Sequence, residues 1–329
     1  MRRIAATVPV LLFALFVFVS AATAQPTPKK ARIGMLCYVA CSGSATYDAL
    51  YDELRKLGWL EGTNIVIERK EAGRSVDRLA TLAAELVRSK PDLIIAVSPQ
   101  PSRAAKDATS EIPIVILFVS DPVGVGLASS LTRPGGNLTG IATMAEGGLV
   151  GKALDVLREL LPGAKRVAAF INPSNEVVRL LFPKEAPIAA LKLGFELDVT
   201  SVREAVEIRS AIAASKAQGA EALWFVGDPI FHTPPNVVPE LALQAGLPSI
   251  FLLPDLVRSG GLISYGPDLL VLARRGAHYV DRILKGGKPA DLPIEQPSKY
   301  LLAINLKTAK SLDLEVPPSL LARADEVIE

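Results

Sequence analysis

Pro91-Asp92-Leu93-Ile94-Ile95-Ala96-Val97-Ser98-Pro99 is the stretch on which the fold turns. Five apolar residues in succession, Leu93 to Val97, stand between Asp92 and Ser98. A strand with one wet face alternates apolar and polar residues, because successive side chains point to opposite faces. A strand with no polar face is covered on both sides, as in a parallel sheet between helix layers. Ser98-Pro99 then reads as a helix start, with Ser at the N-cap and Pro in the first helical position. Ile114–Val119 and Val167–Ile171 carry the same continuous apolar signature.

Outward from these runs the chain repeats a strand–helix alternation. Strand patterns fall at Ile33–Cys37, Asn64–Glu68, Leu138–Ile141, Phe195–Val199, Ala222–Val226, Ser249–Leu252 and Leu262–Ser264. Helical patterns fall between them at Thr46–Leu57, Val76–Ser89, Arg103–Thr109, Gly148–Leu161, Lys184–Leu193, Val202–Lys216, Val237–Ala245 and Asp268–Leu284. This predicts an α/β fold with right-handed crossovers. The pattern restarts at Val167 after Pro134-Gly135-Gly136-Asn137, so two Rossmann-like lobes are expected rather than one sheet. Lys285 to Ile294 reads as loop, and Pro317-Pro318 breaks a last pair of short elements.

The first residues read as an export signal. Arg2 and Arg3 precede an apolar run from Ile4 to Val19, and Ala22-Thr23-Ala24 is a small-x-small cleavage pattern before Gln25. The apolar core is shorter than the roughly 20 residues of a membrane span. No Cys follows it, so the lipid-anchoring signal of bacterial lipoproteins is missing. A signal peptide over 1–24, a flexible leader over 25–31 and a soluble product in a bacterial periplasm are expected. Such a compartment holds no pool of NAD or ATP.

The 329 residues carry 36 basic and 34 acidic side chains, well mixed in sign. Removal of the leader, with its two Arg and no acids, leaves a balanced chain. Nucleic-acid binding, which needs a basic surface, is therefore not expected. The only cysteines, Cys37 and Cys41, form C-x-x-x-C rather than the redox spacing C-x-x-C. In an oxidising compartment a small-loop disulfide, two free thiols and a redox pair all stay open.

Ligands of open parallel sheets bind beyond the carboxyl ends of the strands. Six such ends carry small polar residues. They are Cys41-Ser42-Gly43-Ser44, Ser98-Pro99-Gln100, Ser120-Asp121-Pro122, Asn172-Pro173-Ser174-Asn175, Gly227-Asp228-Pro229 and Tyr265-Gly266. Ser42, Ser44, Ser98, Gln100, Ser120, Asp121, Asn172, Ser174, Asn175, Asp228 and Tyr265 are the candidate ligand contacts. Each Ser, Asn or Asp among them is also a plausible helix cap. Tyr265 suits stacking on a ligand or packing at a lobe junction, whereas Trp59 and Trp224 read as packing.

Catalytic sets are missing. His278 shares a helix pattern with Arg274, Arg275 and Asp281, and His232 lies in a Pro-rich loop. There is no H-E-x-x-H, no zinc-spaced cysteine set, no G-x-S-x-G and no phosphate-binding G-x-x-x-x-G-K-[ST]. Gly124-x-Gly126-x-x-Ser129 is a broken dinucleotide fingerprint that does not follow a first strand. No enzyme activity, cofactor or metal is expected.

Several stretches resemble one family when taken together. They are Arg32-Ile33-Gly34, Leu57-Gly58-Trp59-Leu60-Glu61-Gly62-Thr63-Asn64, Lys90-Pro91-Asp92-Leu93-Ile94 and Ile112-Pro113-Ile114-Val115. Further matches are Ser120-Asp121-Pro122-Val123-Gly124, Arg133-Pro134-Gly135-Gly136-Asn137-Leu138-Thr139-Gly140 and Gln296-Pro297-Ser298-Lys299-Tyr300. Ile304-Asn305-Leu306-Lys307-Thr308-Ala309-Lys310 and Pro317-Pro318-Ser319-Leu320-Leu321 complete them. The chain thus resembles ABC-transporter substrate-binding proteins related to tryptophan- and tyrosine-binding periplasmic proteins.

The resemblance implies a type I periplasmic-binding fold with a ligand clamped between two lobes. Three crossings are implied near Ile141–Thr143, Tyr265–Pro267 and Tyr300–Ala303. An N-terminal lobe over 32–141 and 267–299 and a C-terminal lobe over 142–266 and 300–329 follow. It also implies Ser42, Ser98 and Ser120 for a ligand carboxylate, and Asp121, Asn172 and Asp228 for an amine. The expected protein is a monomeric receptor that passes an amino acid or aromatic or carboxylate-bearing solute to an inner-membrane ABC permease. A sensor module for a membrane kinase is the alternative, and a secreted α/β enzyme a more distant one.

Overall fold

The computed structural model describes residues 30–144, 149–232 and 234–329. The expected signal peptide and most of the leader lie outside them. The first unit runs β1 (Ala31–Cys37), α1 (Ala45–Lys56), β2 (Ile65–Glu71), α2 (Val76–Arg88), β3 (Leu93–Val97), α3 (Pro99–Ala108), β4 (Ile114–Val119) and β5 (Leu138–Ala142). Its five strands are parallel in the order β2-β1-β3-β4-β5. All five β3 residues are buried, as their unbroken apolar run predicts. One core layer forms on each face of this sheet, around Ile95 and Leu117 on one side and Ile94 and Ile116 on the other.

The chain then forms α4 (Leu149–Leu160), β6 (Arg166–Ile171), α5 (Glu176–Lys192), β7 (Glu196–Ser201), α6 (Ile208–Ala217), β8 (Ala222–Phe225) and α7 (Val237–Gln244). β9 (Ser249–Phe251), α8 (Pro254–Arg258), β10 (Ile263–Pro267) and α9 (Leu269–Leu284) follow. It closes with β11 (Tyr300–Asn305), α10 (Leu306–Ser311), α11 (Pro318–Arg323) and β12 (Glu326–Ile328). The second sheet is ordered β12-β11-β10-β9-β8-β6-β7. Its core is likewise double, around Trp224 on one face and Phe170, Phe225 and Phe251 on the other.

Two parallel sheets with helices on both faces bear out the α/β reading, with local differences. β10 and β11 pair antiparallel, Pro267 opposite Tyr300. The reason is the path between them: α9 leaves the second sheet and packs on α1 and β4 of the first unit. Trp59 Nε1 donates to Asp281 Oδ1 of α9 at 2.9 Å, which fixes that docking. The returning chain therefore enters beside β10 from the opposite end.

α5 begins at Glu176 rather than Lys184, although Pro183 and Pro187 lie inside it. Both prolines are exposed. The carbonyls that lose an N–H partner are then on the wet side of the helix, where water satisfies them. α3 starts at Pro99, earlier than its pattern suggests, and Ser98 makes no capping side-chain bond. Cys37 and Cys41 are joined in a disulfide, with Cα atoms 5.6 Å apart and both side chains buried.

Candidate functional site

The carboxyl ends of the two sheets face each other. Tyr38, just past β1, hydrogen-bonds Asn172, just past β6. Gln100, in the first turn of α3, donates Nε2 to Asp228 Oδ2 at 3.2 Å. Arg103 Nε donates to Glu176 Oε2 at 3.0 Å, tying α3 to the start of α5. Backbone strain collects at the same place. Ser98 has φ 77° and Phe118 φ 63° at the ends of the adjacent strands β3 and β4. Non-glycine residues hold that left-handed conformation only where their surroundings fix it, and such residues gather at binding sites.

Asp228 is the hub of this contact. Its carboxylate accepts from Asn172 Nδ2 at 3.0 Å, Asn175 Nδ2 at 2.9 Å, Gln100 Nε2 and the Ile230 N–H at 3.0 Å. The side chain is buried, and burial pushes its pKa up against the opposing pull of these four donors. Asn172 Oδ1 also accepts from the Ser174 N–H, and Asn175 Oδ1 caps α5 at the N–H groups of Val177 and Val178. Burial likewise raises the pKa of Tyr38, with the negative Asp228 adding to it. His232, one short turn beyond Asp228, is shifted down by burial against the pull of Asp255 and Asp228, and its Nδ1 is buried without a partner.

A cavity opens beside this hub, toward the chain crossings. It encloses about 70 Å³, several times the space that one ordered water needs. Ser120 and Met144 line it from the ends of β4 and β5. Opposite them stand Val178 and Phe182 of α5, Trp224 and Phe225 of β8, Leu252 after β9 and Tyr265 of β10. Three ring contacts frame it: Phe182–Trp224 at 5.3 Å, Phe225–Phe251 at 5.1 Å and Tyr265–Tyr300 at 5.8 Å between centroids. Ser120 Oγ accepts from Thr143 Oγ1 at 3.2 Å, and Ser120 faces the apolar wall across the cavity. An apolar wall with few polar groups at one end is the usual make-up of a small-molecule site.

The chain matches, over residues 35–328, the model of a family described as ABC transporter substrate binding protein. The chain belongs to this family. A tyrosine-binding protein of Clostridioides difficile is 28% identical over 262 residues, 80% of this chain and 74% of that protein. The ABC domain of a Streptococcus pneumoniae protein in complex with L-Trp superposes with a TM-score of 0.83 at 25% identity, covering 91% of this chain and all of that one. A substrate-binding protein with adhesive properties from Clostridium difficile, in its ligand-free, open form, reaches only 0.61 at the same identity and 91% coverage. The lobes of this substrate-binding protein stand near the arrangement of the Trp-bound relative, as the Tyr38, Gln100 and Arg103 bridges require. Members bind small ligands and work with ABC permeases, and the similar structures are solute-binding proteins.

Of the eleven candidate residues, Gln100, Asn172, Asn175 and Asp228 form one bonded cluster, and Ser120 and Tyr265 line the cavity. Ser98 is buried close by with its Oγ unpartnered. Asp121 is engaged in its own turn, where Oδ1 accepts from the Gly124 N–H at 2.8 Å. A Cβ on Gly124 would fall 2.2 Å from Asp121 Oδ2, which is why glycine closes that motif. Ser42 and Ser44 are exposed, Ser174 is half-buried, and Ser44 makes no capping bond. Sequence reasoning missed Phe182 and Glu185, because Pro183 and Pro187 hid the face of α5 on which Val177, Val178, Leu181, Phe182 and Glu185 recur at helical spacing. Trp224 is buried as expected, yet it also forms the cavity wall.

Proposed function

We propose that this protein is the extracytoplasmic receptor of an ABC importer, and that it holds an amino acid or another solute with an apolar or aromatic group in the cavity beside the crossings. The observation that carries this reading is the make-up of that cavity: aromatic rings and aliphatic side chains on one lobe, Ser120 on the other. Ser120 and Tyr265 contact the ligand directly. Ser98, whose Oγ is buried without a partner, supplies a further polar group at the same strand ends. The tyrosine-binding and L-Trp-bound relatives support a ligand of this kind. The export-like leader at residues 1–24 supports a periplasmic location. Among the described residues no helix is long and apolar enough to cross a membrane.

Lobe closure on the ligand then presents a joint surface to the permease, and its extent is limited by the ligand's preference for the closed form. The test is a thermal-shift screen of amino acids and aromatic acids, joined to mass spectrometry of solute released by denaturing the purified protein. A true ligand at 100 times its Kd adds about 2.7 kcal/mol of stability. A shift for solutes with apolar side groups, lost on Trp224→Ala, is the expected result. Stabilisation only by sugars or small dicarboxylates would overturn the reading.

A further inference from the structure

Glu185 is the single charged side chain that lines the cavity among the described residues, and no Lys, Arg or His lines it. It sits on the cavity face of α5, four residues after Leu181 and three after Phe182, so it follows them one turn along the helix. The residue is exposed, which places it at the mouth rather than the floor. Its carboxylate has no ion pair or hydrogen bond among the described residues. This contrasts with the residues that the family resemblance implied for a ligand amine. Asp228 spends both oxygens on four internal donors, Asn172 on Asp228 and Ser174, and Asp121 on its own turn.

We propose that the ligand carries an ammonium or other cationic group next to its apolar ring, and that this cation pairs with Glu185 at the cavity mouth. The inference rests on the cavity being the ligand site. A carboxylate at the same spot would meet Glu185 and lose water with no basic side chain to offset it. A cation there gains the carboxylate, at the mouth of a cavity that Phe182 and Trp224 also line. An amino acid therefore binds with its amine toward α5 and its carboxylate turned away from the cavity wall. Amines without a carboxylate bind as well.

Three probes with one ring separate the possibilities: indole, tryptamine and indole-3-propionate. Their binding to the mature protein is measured by calorimetry at neutral pH and low salt. Tryptamine is expected to bind about tenfold more tightly than indole-3-propionate. Glu185→Gln is expected to weaken tryptamine about fivefold and to leave indole unchanged. The proposal is overturned if indole-3-propionate matches tryptamine, or if Glu185→Gln weakens indole and tryptamine alike. If none of the three binds, the cavity is not an apolar ligand site and both readings fall. Indole binding without a preference for the amine overturns this inference alone.

Discussion

Gln100 Nε2 and Asp228 Oδ2 lie 3.2 Å apart across the gap between two sheets that share no strand, joining residues 128 positions apart in sequence. The bond is buried, and Asp228 keeps three other donors if Gln100 is removed. The two residues therefore differ in what their loss does.

Gln100→Ala removes one of several bridges between the lobes and leaves the cavity wall intact. It is expected to shift the open–closed balance by about 1 kcal/mol, the net worth of one hydrogen bond. Ligand affinity then falls by up to about fivefold, because only the closed form grips the solute from both sides. Calorimetry reads the affinity, and small-angle scattering reads a larger radius of gyration for the variant. Asp228→Ala instead strands the amides of Asn172 and Asn175 and the Ile230 N–H inside the second lobe. A loss of about 3 kcal/mol in urea unfolding is expected.

The disulfide closes a very short loop, Cys37 to Cys41. By the loop-entropy relation it is worth about 2 kcal/mol at most. The loop has other supports: the Cys41 N–H donates to Glu71 Oε1 at 2.8 Å, and Tyr51 Oη donates to the Cys41 carbonyl at 2.6 Å. Arg69 in turn lies over the Tyr51 ring and pairs with Glu61. The native protein is expected to be lighter than its reduced form by two hydrogens. Reduction is expected to lower the melting temperature by a few degrees without unfolding. Free thiols in the native protein, detected by alkylation and mass spectrometry, would contradict the pairing.

His232 gives stability a pH dependence. Burial holds its folded pKa below the ordinary value of 6.5. A depressed histidine contributes stability that is fully present above the unfolded pKa and is lost as pH falls toward the folded one. The unfolded chain binds the proton first, so unfolding is favoured by up to about 1.4 kcal/mol per pH unit below roughly 6.5. Asp255 and Asp228, the charges that face the ring, oppose the shift and limit its range. His232→Gln is expected to flatten the stability profile between pH 6.5 and 5, measured by urea melts. An unchanged slope would show that the ring titrates freely in the folded state.

The sheets were legible in sequence because burial on both faces leaves a pattern that depends on composition alone. Leu93–Val97 and Ile114–Val119 are strands at those same bounds. The family motifs were also legible, and the structure explains them as turn chemistry. Asp121 takes the Gly124 N–H, and Asn137 Nδ2 holds the carbonyls of Thr109 and Ile112. Gly140 has φ 144° and lies so close to the Ile116 backbone that a Cβ would fall 2.0 Å from its carbonyl. These residues specify the scaffold, and they say nothing of the solute. The site was only half legible. Polar residues at strand ends could be picked out, but not which would spend their hydrogen bonds on one another, as Asn172, Asn175 and Asp228 do. The cavity wall was hidden for a different reason: Trp224 and Phe182 look like any buried residues until the lobe packing leaves a space against them. The antiparallel β11 was also out of reach, because its direction depends on where α9 docks.

Ala153 separates the cavity from the lobe contact as the seat of binding. It is buried on α4, lines the cavity, and lies far in sequence from Gln100 and Asp228. Ala153→Leu pushes three more carbons into space that holds no side chain. Small-to-large changes in a tight core cost about 1–3 kcal/mol, but here the added volume has a void to enter, so a change under about 1.5 kcal/mol is expected. Circular dichroism and the unfolding midpoint without solute stay near those of the parent. The solute-induced thermal shift, in contrast, disappears, because the leucine occupies the room of the ligand's apolar group. Gln100→Ala weakens binding in a graded way through closure, whereas Ala153→Leu removes it at any solute concentration within solubility. A variant that keeps the full thermal shift would place the solute at the polar strand ends around Ser98 instead.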